Sequence, residues 1–441
     1  MKILKIRRLT ASVAAVAAFA ASGSFAQDGP SEDNKSPSEY SMDEVREIHD
    51  FYSVPANRTS LLDPSKPQSA FVWQNMTRFF PTAEVARGGS ISTLPRDVDS
   101  SLWTIPVTHN GETSTVLERF EGAAYNAMVV VKGGSIVLER YKSLGPSDKH
   151  VWFSSGKVVS STLLAILEAE GKVDVTQPVS SYLEELEGSV WDTVTVEQAL
   201  DMASGLDGTE HDESLRDSRS NPQQIWFKWA ASIGIFPDLL NEKPEPWAVL
   251  RSMERRKPGH TAFEYNSINT FVVERVVERI EGKPLNKVFS ERIWSKIGAE
   301  HGSNVVVSPQ GYPLFLGFHS ATLRDTARFG MIFTPSWKKI SAEQIVPEQV
   351  LVTIQSGGRP EIFAGGNFSR EAYAAVMPNE VMANRYQWDV VFEDGDMYKQ
   401  GVAGQGLYVS PSRDLVAAWY CTGCSDPIAT ARAIARKFDE E

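Results

Sequence analysis

A serine placed three residues before a lysine, where a helical pattern begins, is the most chemically suggestive feature of this 441-residue chain: Ser154-Ser155-Gly156-Lys157. Residues three apart on a helix share a face, so the lysine amine can lie beside the serine hydroxyl. Serine is a poor nucleophile until a neighbour takes its proton. A lysine whose pKa is lowered by partial burial and a second cation or dipole can do that. The helix N-terminus adds main-chain N–H groups that favour a developing oxyanion. Spacing alone does not decide the matter, because a chain of this length holds about two such tetrads by chance. The second, Ser336-Trp337-Lys338-Lys339, follows Pro335 in a polar connection and reads as surface.

Other chemistries find less support. The seven histidines include no HExxH and no close pair on one helix face, so no metal is expected. There is no GxxxxGK[ST] phosphate cradle, and no GxSxG with a late histidine, the last being His319. Cys421-Thr422-Gly423-Cys424 is a CxxC without a thioredoxin-like βαβ setting and reads as a short structural disulfide, with a redox role as the alternative.

The elements that must position these groups are legible in outline. Ala127–Val131 and Ser135–Tyr141 flank Gly133-Gly134 and predict a β-hairpin. A helix is predicted from near Ser154, carrying Val158, Leu163, Leu164, Ile166 and Leu167 up to Gly171. Leu200–Gly205 closes a second helix, Thr270 to Ile280 reads as an amphipathic helix with Gly282 behind it, and Leu323 to Phe333 as another. Leu407–Val409 and Leu415–Tyr420 form a second hairpin, and Pro427 to Phe438 a terminal helix. Strands at both ends with helices between them indicate an α+β fold, its sheet built from sequence-distant strands around a helical insertion.

Two further stretches give the tetrad a context. Phe263-Glu264-Tyr265-Asn266-Ser267 leads into the amphipathic helix, and Gly401-Val402-Ala403-Gly404-Gln405-Gly406 stands directly before a predicted strand. The order Ser-x-x-Lys, Tyr-Asn-Ser, glycine-bounded strand resembles the serine β-lactamase and penicillin-binding-protein superfamily. More narrowly it resembles class C β-lactamases, family VIII esterases and 6-aminohexanoate-dimer hydrolases. Leu167–Asp174, Thr195–Leu206 and Thr322–Gly330 also match that pattern, so the similarity runs from about Ala127 to Tyr420.

The resemblance implies an antiparallel sheet flanked by helices with an inserted, mainly helical subdomain. It implies Ser154 as the acyl-forming nucleophile, Lys157 as its activator and Tyr265 as a proton relay. Oxyanion donors are expected at the main-chain N–H groups of Ser154 and of Gln405, just after Gly404, with Ser267 beside the substrate. Two departures stand out. The third place of the tyrosine motif is Ser267, and the Lys-Thr-Gly position on the strand edging the site reads as Val402-Ala403-Gly404, with neither cation nor hydroxyl. An apolar pair cannot make charge-assisted bonds to a substrate carboxylate, which favours neutral or cationic esters and amides.

Around the site, His150 reads as a capping or surface residue, and Trp152 and Phe153 as packing beneath the nucleophile. Arg324, Asp325 and Arg328 are expected to form a structural ion-pair cluster. Tyr386 and Trp388 read equally as pocket wall or core.

Composition bounds the rest. An apolar share of 42% suffices for a buried core, and a net charge of −12 argues against nucleic acid. Residues 1–26 carry a basic head, an Ala-rich apolar run and Ser24-Phe25-Ala26, and read as a secretory signal whose removal takes away four positive charges. Residues 27–110 then form a polar leader and N-terminal extension, and 111–441 the hydrolase domain. The expectation is a periplasmic or secreted serine hydrolase without cofactor or membrane anchor, acting on a small ester or amide. The alternatives are a β-lactamase or D-amino peptidase, and a catalytically silent binding protein of the same fold.

Overall fold

The computed structural model describes residues 35–109, 111–213, 218–424 and 426–439; the expected signal at 1–26 lies outside them. Thirteen strands are present among these residues: β1 (Thr82–Val85), β2 (Pro106–His109), β3 (Glu112–Thr115), β4 (Tyr125–Lys132), β5 (Ser135–Tyr141), β6 (His150–Val151), β7 (Ser303–Val306), β8 (His319–Ala321), β9 (Met382–Arg385), β10 (Trp388–Phe392), β11 (Met397–Gln400), β12 (Gly406–Ser410) and β13 (Leu415–Cys421). The main sheet is antiparallel, in the order β5-β4-β13-β12-β11-β10-β9. A smaller sheet runs β1-β7-β8-β6, and β2 pairs with β3. The fold is the expected α+β arrangement, with its largest run of helices between β6 and β7.

Both expected hairpins are built as their turn residues demand. Gly133 and Gly134 take φ of 53° and 74°, the left-handed geometry that a two-residue turn needs, and Lys132 pairs with Ser135. The second hairpin closes through Pro411–Asp414, whose Asp414 carbonyl receives the Gly133 N–H at 2.8 Å. The two turns are thereby tied together at one end of the sheet.

The helix Lys157–Ala169 is buried from Lys157 to Leu167, because it runs through the middle of the molecule and packs on the helix Ser267–Glu281. That second helix is capped by the Asn266 side chain at 3.0 Å from the Ile268 N–H, and ends at Gly282 with φ 64°. It is not amphipathic in the expected sense: every residue from Ser267 to Val277 is buried. Two of its charged members are paired inside the protein. Glu274 accepts from the Ser160 hydroxyl at 3.1 Å, and the Arg275 guanidinium lies 4.4 Å from the Tyr312 ring centre and 2.8 Å from Glu278. The helices Leu323–Met331 and Pro427–Arg436 cover the main sheet.

Residues 35–109 are woven into this body. β1 pairs with β7, and Ile48, Tyr52, Phe71, Trp73 and Val85 share a single core with the helix Lys157–Ala169. The expected ion-pair cluster is present: Arg328 meets Asp325 and Glu300, and Arg324 meets Glu139 and Glu300. His150 is not at the surface. It is fully buried, stacked on Tyr420, with Nδ1 on the Val151 carbonyl at 2.8 Å, because β6, the end strand of the smaller sheet, is covered by Tyr420 and the helix Pro67–Gln74. Tyr386 and Trp388 are core, Tyr386 donating to Glu168 and Trp388 packing on Phe333.

Candidate active site

Ser154 sits in a tight turn, Phe153–Gly156, immediately before the helix Lys157–Ala169. Phe153 is held at φ 45°, a conformation unusual for a residue with a side chain, and its ring is fixed edge-on by Trp73 with centroids 4.9 Å apart. Gly156 explains the third position of the tetrad: a Cβ there would lie 2.3 Å from the Phe315 carbonyl oxygen. The close approach brings the chain after Phe315 against the helix start. There the Leu316 carbonyl accepts from Lys157 Nζ at 2.5 Å, while the same Nζ lies 3.0 Å from Ser154 Oγ.

Lys157 is 1% exposed. Burial, opposed by the charge of Glu210 and reinforced by that of Lys399, lowers its pKa to about 7. An appreciable part of this amine is therefore neutral at neutral pH and can accept a proton from the serine. Tyr265 completes the group. It is buried, and the ring lies 5.4 Å from Lys157 Nζ. Burial and the nearby carboxylates Asp389 and Glu210 push its phenol well above the ordinary range, while a hydrogen bond with Ser154 pulls the other way. Tyr265 therefore stays protonated and can pass protons without standing as a phenolate. Its other neighbour is Lys399, whose Nζ is 3.2 Å from the hydroxyl.

Ser154 opens onto a cleft whose walls are largely apolar, formed by Leu62, Trp226, Trp229, Ile233, Ile235, Phe318 and Val402. Glu210 and Arg219 pair at its edge. Burial alone would raise the Glu210 carboxyl, but Arg219, Lys157 and the Ser267 hydroxyl hold it down at about 2. Ser267 lines the cleft, yet its hydroxyl and its N–H both go to Glu210, the N–H at 3.2 Å.

The model of the family described as Beta-lactamase matches residues 118–438. The chain belongs to the beta-lactamase family. Among curated proteins it is similar to the 6-aminohexanoate-dimer hydrolase of Paenarthrobacter ureafaciens, 27% identical over 355 residues covering 79% of this chain and 84% of that one. Among solved structures, a Bacillus anthracis protein described as a 6-aminohexanoate-dimer hydrolase superposes with a TM-score of 0.72 at 23% identity, covering 87% of this chain and 97% of that one. The hydrolase EstCE1, with promiscuous acyltransferase activity, gives 0.54 at 12% identity over 73% and 98% of the two chains. A class C β-lactamase gives 0.52 at 15% identity over 74% and 94%. These structural likenesses show a shared fold.

Within this beta-lactamase fold the stretch expected to carry the third motif does not lie on a strand. Val402-Ala403-Gly404 form the turn between β11 and β12, closed by Gly401 N–H to Gln405 O at 2.7 Å. The strand that meets the nucleophile turn is β11, where the Ser155 hydroxyl reaches the Lys399 carbonyl at 3.3 Å. This strand carries Lys399, two places before Gly401, so a cation does stand on the strand edging the site. A lysine inside a short strand, two places before a glycine, was the available signal.

Gln405 and Gly404 are turned away from the cleft. The Gln405 amide donates to the Cys421 carbonyl at 2.8 Å and accepts from the Ala403 N–H at 3.2 Å, and the Gly404 carbonyl receives the Trp419 indole N–H at 2.7 Å. Among the described residues lining the cleft, Val402 is the one this turn contributes. The disulfide Cys421–Cys424 braces it from behind, the Gly423 and Cys424 N–H groups donating to the Ala403 carbonyl at 3.0 and 3.1 Å. Glu210, Arg219 and Asp389 escaped the sequence reading, since single acidic and basic residues in a loop or a strand carry no motif of their own.

Proposed function

We propose that this protein is an exported serine hydrolase that cleaves a carboxylic amide or ester through an acyl-enzyme on Ser154. The observation carrying the reading is the 3.0 Å contact between Ser154 Oγ and a buried Lys157 amine whose pKa has fallen to about 7. Lys157 takes the hydroxyl proton as Oγ attacks the carbonyl carbon. The main-chain N–H groups of Ser154 and Val402 receive the oxyanion. Tyr265 hands a proton to the departing alcohol or amine and is reprotonated with the serine proton held by Lys157, the C–O or C–N bond breaks, and the acyl group remains on Oγ. Water, relieved of a proton through the same groups, then frees the acid and restores the serine.

The apolar walls suit an aliphatic acyl or leaving chain, and the name of the curated relative favours a linear amide of 6-aminohexanoate-dimer type. No nucleic acid or cofactor has a part in this scheme. The decisive experiment exposes the mature protein to a fluorophosphonate, maps the adduct by mass, and then runs an ester and amide panel. A single adduct on Ser154, absent in Lys157→Ala, is expected; no adduct on Ser154 overturns the reading. Cleavage before Gln27, read from the N-terminus of the exported protein, tests the signal.

A β-lactamase or peptidase reading gains one observation, the lysine at position 399, but that amine is wholly buried and paired with Asp389. Slow or absent hydrolysis of a chromogenic cephalosporin is therefore expected.

A further inference from the structure

We propose that Asp389 is a positioning residue for the reaction: its carboxylate keeps Lys399 protonated and aimed at the Tyr265 hydroxyl, so the lysine serves the tyrosine instead of offering a free charge to substrate. The inference rests on the acyl-enzyme reading above.

The geometry is that of a buried chain of four groups. Lys399 Nζ, wholly buried, lies 2.5 Å from Asp389 Oδ1 and 3.2 Å from the Tyr265 hydroxyl. Asp389 Oδ2 accepts from the Tyr373 hydroxyl at 2.9 Å and from the Gln400 N–H at 3.1 Å. Asp389 is itself 1% exposed and sits on β10, next to β11. Both carboxylate oxygens are thus used, one to hold the cation and the other to be held.

An ammonium without a counter-charge in such a place would lose its proton or draw in water. Burial does lower the pKa of Lys399, and Asp389 is the chief group opposing that. The other charged or titratable groups facing this pair are Lys157 from the nucleophile helix, Glu210 from the cleft edge, and the tyrosines 265, 373 and 398. Unlike these groups, Asp389 accepts directly from Lys399 and is itself held by two further donors, the Tyr373 hydroxyl and the Gln400 N–H. With its charge in place, Lys399 stays an ammonium that donates to Tyr265, fixing the phenol oxygen next to Ser154 and easing the transient negative charge there when it gives up its proton. With two of its three donors so committed, little of the ammonium remains for a substrate anion.

The test compares the wild type with Asp389→Asn, Tyr373→Phe, Lys399→Met and the double variant Asp389→Asn/Lys399→Met, using a p-nitrophenyl ester across pH and a fluorophosphonate on each protein. Asn at 389 should lower kcat by about 10- to 100-fold with KM little changed. It should also move the alkaline limb of the kcat profile to lower pH, because Lys399 then loses its proton earlier. Tyr373→Phe should shift the limb the same way by less. In the Lys399→Met background the Asp389 substitution should add nothing further.

Wild-type turnover with an unchanged Asp389→Asn profile overturns this inference and leaves the acyl-enzyme reading standing, as does a loss that multiplies with that of Lys399→Met. If melting curves show Asp389→Asn unfolded, an unmoved limb in Tyr373→Phe overturns it. A wild type that neither labels nor turns over overturns both.

Discussion

The chain carries the same four-residue spacing twice, and the two copies do entirely different things. In Ser154–Lys157 the lysine amine is buried, lies 3.0 Å from the serine hydroxyl and donates to the Leu316 carbonyl. In Ser336–Lys339 the two side chains part company. The Ser336 hydroxyl donates to Asp414 at 2.6 Å and the Lys339 ammonium to the Gly133 carbonyl at 2.5 Å, so both pin the paired hairpin turns. Ser336 is buried at 4%, contrary to the surface reading, because the turn after Pro335 folds under the 411–414 loop. The first copy has a lysine with suppressed charge and a serine facing a cleft; the second has a satisfied serine and a lysine at the rim. Spacing supplies the encounter, and the surroundings decide whether it is chemistry or carpentry.

The comparison breaks most visibly at the serines. Ser154→Ala should lower turnover by about 10⁴-fold or more and abolish fluorophosphonate labelling, whereas Ser336→Ala should leave both intact. Equal losses in the two variants would mean that the contrast is false. Next come the lysines. Lys157→Met should cut kcat by about 10²- to 10⁴-fold and at the same time raise the melting temperature, since a buried amine is replaced by an apolar chain of similar length. Lys339→Met should do neither, and a Lys157→Met protein that melts lower would argue against the cost assigned to burial.

The pH dependence sharpens the same point. Lys157 must be neutral to accept a proton, and its pKa is about 7, so kcat should fall by about tenfold per unit as pH drops well below 7 and level off above it. For stability the sign is opposite to that of an ordinary ion pair. The unfolded amine holds its proton up to its higher ordinary pKa, so this residue's contribution rises with pH from about 7 upward and is most unfavourable below. The smallest effect belongs to the second tetrad: denaturant unfolding of Ser336→Ala should show a loss of about 1–2 kcal/mol, from one hydrogen bond to a carboxylate.

Much of the frame was legible before any coordinates. The Gly-Gly and Pro411–Asp414 turns, the helix ends at Gly171 and Gly282, and the tyrosine just ahead of a capped helix are local signals, each set by a few adjacent residues. Ser154, Lys157 and Tyr265 lie where those signals put them. Val402-Ala403-Gly404 was placed on a strand because Gly404 and Gly406 mark a turn that looks, in one dimension, like the edge of a strand. Telling β11 from that turn requires the register with β12, which pairs Lys399 with Leu407. Asp389 and Glu210 could not be read for a related reason: a charge 10 residues from its partner Lys399 across a strand pair, or 57 from Ser267, is defined only by the fold.

One consequence follows from the placement of Leu62 and Trp73. A shortened protein starting where the family match starts would lose the strand on the outer edge of the smaller sheet, the leucine on one wall of the cleft, and the indole that steadies Phe153. The outer edge of β7 and the buried face beneath the nucleophile would then meet water or another chain. Residues 62–85 therefore act less as a leader than as a keel: a protein trimmed past them should be less soluble, with a misaligned serine.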